Sequence, residues 1–133
     1  MFVRAGLILV GVFYLINGAA MIAVPAYWYA ATPGVVATGP MNPHFIRDIG
    51  LIFVASGAGF LLGARSGSTA AALALAAATW PALHALFHVW LWFAYGFPQA
   101  ADVAVTEALG VVGLAAVGAW LAWLRAKREG VVR

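Results

Sequence analysis

The sequence predicts an all-α protein: an antiparallel four-helix transmembrane bundle with its N- and C-termini cytoplasmic. Three observations carry this. Of 133 residues, 65% are hydrophobic and only 8% are charged, against about 25% charged in an ordinary soluble domain. The apolar residues fall into four runs, each near the ~20 residues that cross a bilayer core. Arg4, Arg65, Arg125, Lys127, Arg128 and Arg133 all lie at the ends of those runs or beyond them. One transmembrane domain, residues 1–133, accounts for the chain.

The first span is expected over about residues 2–24, stopping at Pro25. Arg4, an apolar run and "NGAA" imitate a secretory signal, but the run continues past residue 20, which favours a retained span. A long outer loop, 25–42, follows. The second span is expected over 43–64, with Asn42 as N-cap and Pro43 in the first turn. "RSGS" ends it. The third, 69–95, lies between Ser68 and "GFP", and Pro81 inside it frees the carbonyl of Ala77 and favours a kink. The fourth, 99–124, ends in "RAKREG".

An even number of spans puts the N-terminus, the 65–68 turn and the C-terminus on one side. The positive-inside rule makes that side cytoplasmic. Tyr27, Trp28, Tyr29, Trp90, Trp92 and Tyr95 then form an outer aromatic belt, and Trp120 and Trp123 an inner one. Gly59 and Gly63 have GxxxG spacing, and Thr106, Gly110, Gly113 and Val117 line one side of the last span. Such faces let helix backbones approach, within the bundle, in a homo-oligomer or against a larger membrane complex.

Composition also excludes. Without Cys there is no disulfide framework, thiol chemistry or Cys-ligated metal. A net charge of +3 located at helix ends gives no reason to expect nucleic acid. Three His are too few for the several His boxes of membrane di-iron enzymes, and neither Glu has the Glu-x-x-His spacing of bundle di-iron sites. Ser56 sits in the wrong half of the bundle for a Ser–His pair.

"MNPHFIRDIG", residues 41–50, places His44, Arg47 and Asp48 at the mouth of the second span. With a rise of about 1.5 Å per residue, Asp48 lies roughly 6 Å below His44. His88 and His84 lie roughly 10 and 16 Å below the outer end of the third span, and Glu107 roughly 12 Å below that of the fourth. Asn17 is in the outer part of the first. His44 and Asp48 are i and i+4, as are His84 and His88, so each pair shares a helix face. Polar residues at these depths usually face a bundle interior or a water-filled cavity.

Four readings follow. In the leading one, His44, Asp48, His84 and His88 hold a transition metal ion (copper, zinc or iron), with Glu107, Asn17, Arg47 and Asn42 around it. In the second, the same residues form a hydrogen-bonded polar core of a non-catalytic accessory subunit. The third is haem b ligated by His44 with His84 or His88. The fourth is a proton or quinone site using Asp48, His88 and Glu107. Arg47 opposes a metal and is expected to point to headgroups or to pair with Asp102 or Glu107.

The four-span layout, the "NPHFIRDIG" entry to the second span and "HALFH" in the third resemble the DoxX-like group of small bacterial membrane proteins. The resemblance implies a multi-pass protein of the bacterial inner membrane. The name-giving members of the group are linked to quinone-coupled sulfur oxidation, which implies an accessory role beside a respiratory complex. It carries over no catalytic residue. His44, Asp48, His84 and His88 are also similar in type to copper sites of membrane monooxygenase subunits, which use Asp or Asn and His on neighbouring spans.

Overall fold

The structure, a computed structural model, describes residues 1–133 and contains helices but no strand. Four helical segments are long and apolar enough to cross a membrane, which indicates a multi-pass membrane protein. The first is α1, Phe2–Ala23. A short helix α2, Pro25–Ala31, begins on the proline at its first turn, a position where the missing N–H is no loss. Then come α3, Pro43–Gly63, and α4, Ser68–Tyr95. The last span, Ala101–Arg128, is made of α5 (Ala101–Val105), a π-helical stretch (Thr106–Gly113) and α6 (Leu114–Arg128).

Two expectations are corrected. Residues 25–42 are not simply a loop: α2 and a 3₁₀ turn, Val35–Thr38, occupy much of them. Tyr29 Oη donates to the Gly39 carbonyl at 2.6 Å and folds the segment on itself. Gly34, at φ 87°, lies against Val103 and brings the segment to the start of the last span. The last span also runs to Arg128 rather than 124. Its basic final turn suits the negative end of the helix dipole, and Arg125 pairs with Glu129 one turn on.

Glycine sets the closest packing. A Cβ on Gly11 would meet the Gly57 carbonyl oxygen at 2.9 Å, and one on Gly57 would meet that of Gly11 at 2.7 Å. Gly18 and Gly50 repeat the arrangement at 2.6 and 3.0 Å. Residue numbers therefore rise along α1 as they fall along α3. Gly59 faces Ala77 and Gly63 faces Ala74, which gives the same relation between α3 and α4. The GxxxG pair thus joins two helices of one chain. Gly118 meets Val10 and Phe60, tying α6 to α1 and α3. Leu7, Tyr14, Phe60, Ala74 and Leu121 are among the buried core that results. In lipid this close contact must supply the attraction, because burial alone does not separate one apolar surface from another.

The bundle has two dissimilar ends. At one, Arg4 bonds Ser66 at 3.0 Å. There Arg125 is 5% exposed, donating to the Arg65 carbonyl at 2.7 Å and to Glu129 at 2.5 Å. We call this the arginine end. The other, the histidine end, holds the 24–42 segment and His84, His88 and Glu107. Between the ends, Leu9, Ile16, Leu83, Leu86 and Leu109 are each at least 60% exposed. An apolar girdle of that kind suits lipid, not water.

Candidate functional site

Asn42 does what its position predicts. Its side chain accepts the amides of His44 and Phe45, both at 3.1 Å, and caps α3. The cap fixes the start of α3 and so the level of His44 and Asp48. Those two meet each other, Nε2 to Oδ2 at 3.3 Å, with side chains 88% and 53% exposed. They lie on the face of α3 turned away from both α1 and α4. Arg47 is exposed and pairs with no acid. Its Nε donates to the Ile22 carbonyl at 3.1 Å, at the C-terminal turn of α1, where a cation suits the helix dipole.

His84 and His88 turn elsewhere. Both lie on the α4 face that continues through Trp80 and Trp92, at successive i, i+4 steps. The helix passes through Pro81 without interruption. His84 stacks on Trp80, ring centres 4.9 Å apart, and meets His88 edge to face at 4.8 Å. His88 Nδ1 lies 3.4 Å from Glu107 Oε2. The approach lacks the alignment of a hydrogen bond, so this buried nitrogen has no hydrogen-bond partner. Trp92 Nε1 donates to the same carboxylate oxygen at 2.6 Å. The side chains of His88 and Glu107 are only 18% and 21% exposed.

The leading metal set is therefore corrected. α3 carries His44 and Asp48 outward, while α4 carries His84 and His88 toward the last span, and the four do not share a centre. No three His, Asp or Glu side chains gather where they could hold a metal ion. Asn17 is not beside the histidines either. It accepts the Trp28 indole N–H at 2.9 Å, a bond that ties α2 down onto α1.

What assembles is His84–His88–Glu107–Trp92. Glu107 enters it from the π-helical stretch. A π-turn widens the helix by one residue per hydrogen-bonded ring and often marks a functional position. The signal for Trp92 was present in the sequence as the i+4 neighbour of His88, although its type first suggests the aromatic belt. Chemically, the cluster brings one carboxylate, two imidazoles and one N–H donor together in apolar surroundings. Such a group can hold and pass a proton, or hydrogen-bond a small polar ligand.

No family model, curated protein or solved structure matches this chain.

Proposed function

We propose that this is a multi-pass protein of the bacterial inner membrane, an antiparallel bundle with both termini cytoplasmic, whose working site is a proton-exchanging His88–Glu107 pair. The single observation that carries the reading is the approach of His88 Nδ1 to Glu107 Oε2 at 3.4 Å, with Trp92 on the same oxygen and His84 beside it. An imidazole with a free nitrogen next to a carboxylate is the arrangement that lets a proton change hosts over a short path. Trp92 holds the carboxylate in place, and His84 is the next imidazole along α4. The register of Gly11 with Gly57 and of Gly59 with Ala77 supports the antiparallel order. The basic residues at the arginine end support its cytoplasmic placement. The DoxX-like resemblance belongs to this proposal, and with it an accessory role beside a respiratory complex.

The test is a histidine-resolved NMR titration of the chain in lipid nanodiscs, with infrared detection of the Glu107 carboxyl. His88 and Glu107 should exchange protonation together, and Glu107→Gln should move the His88 midpoint while leaving the fold intact. An unchanged His88 midpoint in Glu107→Gln would sink the proposal and leave the cluster as structural glue. Elemental analysis of the same untagged protein checks the metal reading. Near-stoichiometric copper, zinc or iron lost on His88→Ala would put metal binding first.

A further inference from the structure

Away from the His88–Glu107 site, α3 carries a second pattern. His44, Asp48, Leu51, Ala55, Ala58 and Leu62 follow one another at alternating steps of four and three. That is the spacing of a coiled-coil seam. None of the six is buried in the bundle, and Leu51 is 58% exposed. The opposite face of α3, with Ile46, Gly50, Gly57 and Phe60, supplies its contacts to the rest of the chain.

Two features of the seam call for a partner. Asp48, paired with its own His44, is half exposed on an outward face, and its neighbour Arg47 reaches the last turn of α1, so the pair lies beside the end of a span. Ionisable groups there almost always face protein or a water-filled cavity rather than lipid tails. Beside Ala55, moreover, the surface between α3 and α4 is hollowed. Ile52, Ser56, Gly59, Leu73 and Ala76 help to line a groove of about 250 Å³ there. Small residues at the middle of a seam allow close backbone approach.

We propose that this seam is covered by a second copy of the chain, α3 against α3, about a two-fold axis along the bundle. Charge complementarity selects that occupant. A two-fold contact must be self-complementary, and the seam carries both members of a donor–acceptor pair. Within one chain His44 and Asp48 already meet at 3.3 Å; in a parallel dimer each His44 can also reach the other copy's Asp48, so the two pairs join in one network turned away from lipid. Lower down, Leu51 of one copy meets the hollow beside Ala55 of the other.

The chain contains no Cys, so single cysteines report on proximity without background. Leu51→Cys, Ala55→Cys and Leu62→Cys, oxidised in native membranes, should form cross-linked dimers. Leu9→Cys and Leu86→Cys, exposed on other helices, should not. Asp48→Lys should lower the Leu51→Cys cross-link at least tenfold, and adding His44→Asp to the same chain should restore it. Helical content and melting in detergent identify a charge variant that fails to fold, in which case the cysteine pattern alone decides. Cross-links of equal yield at seam and control positions, no cross-links at all, or cross-links only to a different protein would each overturn the proposal.

Discussion

The α1–α3 pair and the upper part of the last span use the same small residues to opposite effect. Gly11 and Gly18 meet backbone carbonyls of α3, and Gly57 and Gly50 meet those of α1, so four glycines hold two helices at backbone contact. Gly110 has nothing within 4 Å of where its Cβ would be, and the stretch around it is π-helical with no buried residue. A glycine with a partner tightens a bundle. Without one it only lowers the local helix propensity. The difference divides the molecule into a closely docked half and a loosely packed half, and Glu107 stands in the second.

The largest effect should come from breaking that contrast directly. Gly57→Leu drives a side chain into the backbone of α1, where even a Cβ would lie 2.7 Å from the Gly11 oxygen. Overpacking of a tight core costs about 1–3 kcal/mol and sometimes more. Because the obstacle here is backbone, we expect a loss of at least about 3 kcal/mol, a large share of the about 5–15 kcal/mol that holds a folded domain, read by a reversible denaturant titration in mixed micelles. Gly110→Leu meets open space and should change stability by less than about 1 kcal/mol, with a gain in helix propensity as its main term. Similar losses for the two would erase the distinction between the halves.

Arg125→Met comes next. The guanidinium is nearly buried and serves two elements at once, the end of α3 through the Arg65 carbonyl and its own helix through Glu129. Removing it strands a carboxylate and a carbonyl, which for a buried pair costs about 3 kcal/mol, and less here because Glu129 is 27% exposed and can turn to water. We expect about 2 kcal/mol by the same titration. Lys127→Met, with only a cation–π contact to Trp123, should lose less than about 1 kcal/mol.

The fold was legible in the sequence to the extent that lipid dictates it. The length of apolar run that a bilayer needs picked out the four long helices, and Asn42 with Pro43 marked where α3 begins, whereas Pro25 read only as the stop of the first span and α2 was not foreseen. The site was legible in depth and helical phase but not in direction. His44 and Asp48 share a face, as do His84 and His88, as their spacing requires. Which way each face points depends on the rotation of α3 about its axis. Gly50 and Gly57 set that rotation by docking on Gly18 and Gly11, and nothing in the chain's local pattern distinguishes those glycines from Gly59, Gly63 or Gly110. Once Gly50 and Gly57 face α1, His44 and Asp48 must face outward and cannot join the histidines of α4. Arg125 was hidden for a related reason: a basic residue at a helix end reads first as a topology signal, and only tertiary contact shows it as a buried clasp.

Asn42→Ala probes the start of α3 without touching its packing. It removes one acceptor from two amides, and loss of an N-cap costs about 1 kcal/mol. Amide hydrogen exchange should quicken at His44 and Phe45 while the α1–α3 contact around Gly57 keeps its protection. Faster exchange along the whole of α3 would mean that the cap, rather than the glycine contact, sets the helix in place.

The smallest effect should be at Asn17. Its bond to Trp28 joins α2 to α1, and the amide also approaches the Met21 sulfur at 3.8 Å. Side-chain hydrogen bonds between membrane helices average only about 0.6 kcal/mol in double-mutant cycles, because the unfolded chain in the membrane finds other partners. A cycle of Asn17→Leu and Trp28→Phe should therefore give a coupling near 0.6 kcal/mol. A coupling above about 2 kcal/mol would exceed the largest such values and would mean that Trp28 closes the histidine end rather than resting on it. The histidine end would then be held through α2 as firmly as α1 and α3 are held through their glycines, and only the π-helical stretch that carries Glu107 would stay loosely packed.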